Sequence, residues 1–238
     1  MIPRIIHYCW FGRRQMPELA LKCIESWHRF MPDYEYMLWS EDNFDVNVLD
    51  YTREAYCSGK FAFVSDVVRL KALNEFGGIY FDVDFEVYKS FDNLLENKAF
   101  AGFEGSKFNP IMMGVLGSEP GGLWVKEQLD LYSNRHFLIN GKEDLTTNVK
   151  LITDQMIAQG FIPDGKEQNF RDLHIFPVEY FCPRQTTGEY RRTKNTYCEA
   201  ASHASSWAGG GGWKSWLLRF FNTETRIRII LVKRKLFG

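Results

Sequence analysis

The residues best placed to do chemistry lie between Phe61 and Tyr88, in FAFVSDVVRLKALNEFGGIYFDVDFEVY. Asp82, Asp84 and Glu86 recur at spacing two inside a β-prone run, Ile79 to Tyr88. Strand alternation would set all three side chains on one face. Aspartate is depleted in strands, and like charges so close are costly unless a cation sits between them. A hard divalent ion, Mg2+ or Mn2+, takes oxygen ligands and bridges phosphates. The pattern therefore points to a metal–diphosphate site at a strand end. The plainer alternative is a half-exposed edge strand with its polar face in water.

The elements that must hold these acids are legible on either side. Val67, Val68, Leu70, Leu73 and Phe76 give a rough apolar helix face, and Ser65 reads as its N-cap. Asp66 and Arg69, three apart, share a face of that helix. Gly77-Gly78 ends it, because glycine adopts the left-handed backbone of a helix C-terminus. A helix cation and strand carboxylates joined by a two-glycine turn make a compact kit for a charged phosphate ester.

The run SDVVRLKALNEFGGIYFDVD resembles the signature of the DXD-containing sugar transferases, glycosyltransferase family 32. That family includes yeast initiating mannosyltransferases and bacterial capsule and lipopolysaccharide enzymes, and is distantly similar to the glucosylating clostridial toxins. Its pattern is present at Ser65, Asp66, Arg69, Gly77, Gly78, Tyr80, Asp82 and Asp84. The opening IPRIIHYCWFG resembles the family's first strand, and SSWAGG its C-terminal Ser-Trp motif. The resemblance implies a GT-A-like α/β fold, a mostly parallel sheet flanked by helices. It implies a nucleotide-sugar donor, a saccharide acceptor and retention of anomeric configuration.

Composition sets outer bounds. The 238 residues suffice for one large domain, expected over 1–212, followed by a tail at 213–238. Five cysteines without close pairing fit reduced thiols in a cytosol rather than a zinc site or disulfide frame. Arg4 and His7 interrupt the first apolar run, so no signal peptide is read, and no stretch reaches the length of a membrane span. Net charge is −1, but Lys214, Arg219, Arg226, Arg228, Lys233, Arg234 and Lys235 against Glu224 make the tail +6 and residues 1–212 −7. With Trp213, Trp216, Leu217, Phe220 and Phe221 at helical spacing, the tail reads as an amphipathic helix for an anionic membrane surface. That expectation makes the protein cytoplasmic and peripheral to the inner face of the membrane; packing in a dimer is the alternative. Nothing suggests a nucleic-acid partner.

In chain order, Ile2 to Phe11 reads as a buried strand, with Trp10 near the end at which open α/β sheets bind ligands. Trp10 is then either a stacking surface for the base or a core residue; the resemblance favours stacking. His7 reads as a satisfied core residue. Helices are expected over 17–30, 50–60, 124–132 and 146–159, and strands over 34–39, 99–104 and 174–180, with Pro177 marking an edge or bend. The resemblance turns Asn109 towards the sugar. In YCEAASHASSWAGGGG, His203 or Glu199 would complete the metal shell, and Ser206 and Trp207 would cover the diphosphate.

The expected activity is a metal-dependent hexosyl transfer, with a UDP-sugar favoured by the stacking tryptophan and GDP-mannose as the other candidate. The acceptor would be lipid-linked, in surface polysaccharide synthesis. Asp84 and Asp82 hold the metal, Arg69 stabilises phosphate or orients the sugar, Asp66 accepts from sugar hydroxyls, and Ser65 and Tyr80 line the donor site. With no obvious nucleophile, front-face displacement is the mechanism read. Two rivals are a phosphatase using an Asp-x-Asp nucleophile and a catalytically silent domain that binds a nucleotide-sugar or a partner. The phosphatase pattern places its pair after the first strand, whereas here it is mid-chain.

Overall fold

A computed structural model describes residues 1–105, 109–184 and 189–201. In chain order its elements are β1 (Ile5–Cys9), α1 (Glu18–Phe30), β2 (Glu35–Trp39), α2 (Asp50–Cys57), α3 (Phe61–Phe76), β3 (Gly78–Phe81), β4 (Phe85–Val87), β5 (Ala99–Gly102), β6 (Val115–Ser118), α4 (Leu123–Asp130), β7 (Leu138–Ile139), β8 (Lys142–Glu143), α5 (Asn148–Ala158), β9 (Gln168–Phe170), β10 (Leu173–Phe176) and β11 (Cys198–Ala200). Seven strands form one sheet in the order β2-β1-β3-β6-β5-β10-β9. Strands β2, β1, β3, β5 and β10 run one way, and β6 and β9 oppose them. This is the mostly parallel, helix-flanked GT-A-like sheet that the sequence implies. The tail at 213–238 and the proposed domain boundary lie outside the described residues. No helix among the described residues is long and apolar enough to cross a membrane.

Alternation along the strands builds a core on each face of the sheet. Ile6, Ile79, Phe81 and Val115 pack with Trp27 of α1. Cys9, Tyr80, Ala101 and Leu116 pack with α3 and α4 on the other side. Helix α3 is buried over most of its surface rather than along one stripe: Phe63, Val64, Val67, Val68, Leu70, Ala72 and Leu73 are all sealed, and so are Asp66 and Arg69. A helix enclosed on most sides has no polar face on which to place a charge at low cost. The two buried charged residues, Asp66 and Arg69, must therefore satisfy each other, while Lys71 and Glu75 pair on the exposed strip.

The double glycine joins this helix to β3. Gly77 and Gly78 sit at φ +67 and +99, and a Cβ on Gly78 would lie 2.5 Å from the Ile5 carbonyl oxygen. His7 of β1 meets the same turn. Its Nε2 lies 2.8 Å from the Gly77 carbonyl oxygen, while Nδ1 receives the Trp39 indole N–H at 3.1 Å. Since the carbonyl only accepts, Nε2 carries the proton and the ring is neutral. Burial accordingly holds the His7 pKa below its ordinary value. His7 is the satisfied core residue that its sequence position suggests.

Four sequence expectations are corrected. The acids do not share one strand face, because β3 ends at Phe81 and Asp82–Phe85 is a turn, closed by Phe85 N–H donating to the Asp82 carbonyl at 3.2 Å. A strand sealed at all four positions could not bury carboxylates, so they emerge where the chain leaves the sheet. The chain resumes as β4 in a separate two-stranded ribbon with β11, where Glu86 is exposed opposite Glu199. Ser65 is no cap: it lies inside α3, and its hydroxyl donates back to the Phe61 carbonyl at 3.2 Å. The first strand is Ile5–Cys9, shorter than Ile2 to Phe11, and 174–180 is a strand only to Phe176, after which Pro177 bends the chain into a 3-10 turn.

Candidate active site

Four chain segments reach the carboxyl edge of the sheet and meet there. From α3, Arg69 extends under the edge, its side chain 6% exposed. One terminal nitrogen lies 3.0 Å from Asp66 Oδ1 and 3.3 Å from Asp82 Oδ1. The other donates to the Met113 carbonyl, and Nε donates to the Ser65 carbonyl at 3.3 Å. The guanidinium also lies 4.6 Å from the centre of the Tyr80 ring. Every nitrogen of the fork thus has a protein acceptor, and the surrounding negative charge keeps Arg69 firmly ionised.

This clamp aims Asp82. The Tyr80 hydroxyl donates to Asp82 Oδ1 at 2.8 Å, beside Arg69, which leaves Oδ2 of a side chain that is 37% exposed. The Asp82 N–H bonds the Gly114 carbonyl at 2.8 Å. Residue 114 must be small, because a Cβ there would lie 3.0 Å from Asp82 Oδ2 and 2.6 Å from the Phe85 ring. Behind the turn, Trp27 of α1 stacks on Phe81 and donates its indole N–H to the Phe85 carbonyl at 2.7 Å. Ser26 Oγ accepts the Val87 N–H at 2.9 Å. Helix α1 thereby fixes the far end of the acidic turn.

The electrostatics follow from burial. Asp66 is 7% exposed, and desolvation pushes its carboxyl up to about 7 against the pull of Arg69. The Tyr80 hydroxyl is held well above its ordinary value, mainly by burial. The Cys9 thiol at the end of β1 is pushed up to about 12 by burial, with Arg69 and Asp82 in electrostatic range. A further acid that the sequence reading did not single out stands here. Glu104, two residues past β5, is pushed up to about 7 by burial and then by the charge of Asp82. An acid just past the carboxyl end of a sheet strand was the signal that could have found it.

The remaining sequence candidates fall as follows. Asp84 is half-buried in the turn, and its carbonyl accepts the Ala201 N–H at 2.7 Å. Trp10 is half-buried one residue beyond β1, with its backbone N–H on the Trp39 carbonyl at 2.9 Å and its indole N–H on the Arg14 carbonyl at 2.5 Å. Tyr80, expected against phosphate, is instead buried and holds Asp82. Asn109 adopts φ +43 before Pro110, and its amide packs against Gly165. Glu199 sits in β11, and one of its oxygens is sealed without a partner among the described residues. His203, Ser206 and Trp207 lie outside the described residues.

Among the described residues no three His, Cys, Asp or Glu side chains gather to hold a metal. Asp82 and Asp84 still offer hard oxygen donors at the partly exposed turn, which suits Mg2+ or Mn2+ with phosphate and water completing the shell. Asp66 and Asp82 both face Arg69, and Glu104 lies in electrostatic range of Asp82, a local excess of acid that a divalent cation would offset.

Residues 17–101 match the family described as "Glycosyltransferase sugar-binding region containing DXD motif". Inositol phosphoceramide mannosyltransferase 3 of Schizosaccharomyces pombe is 32% identical over 142 residues, covering 57% of this chain and 40% of that protein. Mannosyl phosphorylinositol ceramide synthase CSH1 of Saccharomyces cerevisiae is 29% identical over 126 residues, covering 50% and 32%. The match therefore spans less than half of either yeast protein. Among solved structures, the PaToxG glycosyltransferase superposes with a TM-score of 0.51 at 16% identity, over 67% of this chain and 70% of that one, which is a likeness of fold. The resemblance read from the sequence stands: residues 17–101 are similar to the sugar-binding region of DXD-containing glycosyltransferases.

Proposed function

We propose that this chain transfers a hexose from a nucleotide-sugar to a saccharide acceptor in a metal-dependent reaction. The observation that carries this reading is the clamped aspartate: Arg69 and Tyr80 fix Oδ1 of Asp82 at the carboxyl edge of the sheet, on a side chain 37% exposed whose Oδ2 lies beside Gly114. Such rigid support is what a metal-binding carboxylate needs, because a side chain already held in place loses little entropy on binding. Asp82 and Asp84 would hold Mn2+ or Mg2+, which offsets the charge of the diphosphate leaving group. Arg69 acts through Asp82, since its donors already have protein acceptors. Asp66, itself buried against Arg69, keeps that guanidinium in register.

Trp10, at the same edge and only half-buried, offers a face for a base, and this favours a UDP-sugar. The two mannosyl-transferring yeast relatives make GDP-mannose the second donor to test. His203 follows Ala201 by two residues, and Ala201 is bonded to Asp84, so His203 is the leading candidate for a third metal ligand. A lipid-linked acceptor reached through the basic tail at 213–238, retention of configuration and a peripheral membrane location complete the reading, from the sequence alone.

The test is release of UDP from a panel of UDP-sugars, and of GDP from GDP-mannose, with Mn2+, with Mg2+ and with chelator. We expect metal-stimulated release that falls about a hundredfold or more in Asp84→Asn. Nucleotide-sugar binding without any turnover would instead make this a silent binding domain.

A further inference from the structure

The carboxyl edge of the sheet carries a second unexplained acid. Strand order puts the ends of β1, β3 and β5 on one edge, with the start of β6 between β3 and β5. Read along that edge the residues are Trp10 past β1, Asp82 past β3, Gly114 before β6 and Glu104 past β5. At about 4.8 Å per strand, Asp82 lies roughly 5 Å from the β1 position and roughly 10 Å from the β5 position. The residue between the two acids is Gly114, against which the Phe85 ring and Asp82 Oδ2 pack closely.

Glu104 is rigidly placed. Its N–H donates to the Pro110 carbonyl at 2.8 Å, the Phe103 N–H donates to the Phe176 carbonyl at 3.3 Å, and Phe103 bridges to Ile111. Its Oε2 is sealed from solvent, yet has no hydrogen-bond partner among the described residues. A buried carboxylate oxygen left bare costs free energy comparable to a lost charged hydrogen bond, and such orphans call for an explanation.

We propose that Glu104 binds the transferred sugar, its Oε2 accepting a hydrogen bond from a hexose hydroxyl of the donor. The assignment rests on the function proposed above and adds a direction to it. The donor runs along the edge with its base at Trp10, its diphosphate at Asp82 and Asp84, and its sugar at Glu104. That order matches the chemical order of a nucleotide-sugar, base to diphosphate to hexose, and a two-strand step of roughly 10 Å suits the reach from phosphate to sugar hydroxyls. A buried carboxyl oxygen also discriminates strongly, because a sugar lacking the matching hydroxyl leaves it bare.

The experiment compares binding of the free nucleotide with that of its sugar conjugate. Calorimetry with Mn2+ would use UDP against UDP-glucose and GDP against GDP-mannose, on the full chain and on Glu104→Gln and Glu104→Ala. Glu104→Gln keeps the side-chain shape, and circular dichroism verifies that both variants fold. We expect free-nucleotide affinity within about twofold of wild type, while the sugar conjugate weakens about tenfold or more, in line with loss of one charged hydrogen bond. Equal weakening of nucleotide and conjugate would overturn the assignment and leave Glu104 a structural acid. Unchanged conjugate affinity with a raised acceptor KM would overturn it in favour of the acceptor side. Failure of the wild-type chain to bind any of the four probes would overturn the functional reading itself, and this assignment with it.

Discussion

Replacing Arg69 by methionine removes the only cation that faces the buried Asp66 and the turn acid Asp82 in the described site. Methionine approximates the volume, so the packing of α3 is largely kept and the change is electrostatic. Breaking a buried ion pair by deleting one partner costs about 3–5 kcal/mol, because the other charge is left uncompensated. That cost must depend on pH in a defined direction. Asp66 titrates at about 7 in the folded protein, against an ordinary value of 3.8, with burial raising it and Arg69 lowering it. A folded value above the unfolded one means that stability falls as pH rises between the two, and levels off above the folded value. Without Arg69 the folded value climbs further, so the variant goes on losing stability where the wild type has nearly levelled off. Between pH 7 and pH 8 the gap should widen by up to about 1 kcal/mol, at about 1.4 kcal/mol per unit for a fully mismatched group. Urea unfolding of both chains at the two pH values, with chelator present, measures this. Adding Asp66→Asn to Arg69→Met should abolish the widening and recover part of the loss. A loss under about 1 kcal/mol, or a gap indifferent to pH, would refute the claim that Asp66 and Arg69 neutralise one another in a dry helix.

Two further outcomes follow from the same geometry. Gly114→Ala should lower sugar transfer about tenfold or more while the chain still folds, since its Cβ would press on Asp82 Oδ2 and the Phe85 ring; a steady-state assay beside a melting curve reads this. His7→Gln should flatten the acid side of the stability profile. His7 is held neutral below its ordinary value of 6.5, so the wild type loses stability as pH falls through that value while the unfolded chain takes up the proton; melting temperatures at pH 7 and 5.5 check the difference.

The sequence by itself determined the helix–glycine–strand core of this protein. Local physics sufficed there: the apolar run of α3 needs burial, Gly77-Gly78 needs a backbone few other residues adopt, and Ile79 to Phe81 needs a strand. It also singled out Asp82 and Asp84, which are out of place in so apolar a run. It did not determine how they are presented. Alternation drew Asp82 and Asp84 on one strand face, whereas tertiary structure ended β3 at Phe81, since a strand sealed between two cores has no room for carboxylates. Nor could spacing show that Arg69 and Tyr80 serve Asp82, because the Met113 carbonyl and the closed environment that fix Arg69 come from distant parts of the chain. Glu104 ends a strand legible in the sequence, but only β6, inserted antiparallel between β3 and β5, brings that acid, 22 residues beyond Asp82, to the same edge. Periodicity reports which face a residue needs; strand order decides which residues share an edge, and the chemistry of this site is set by that edge.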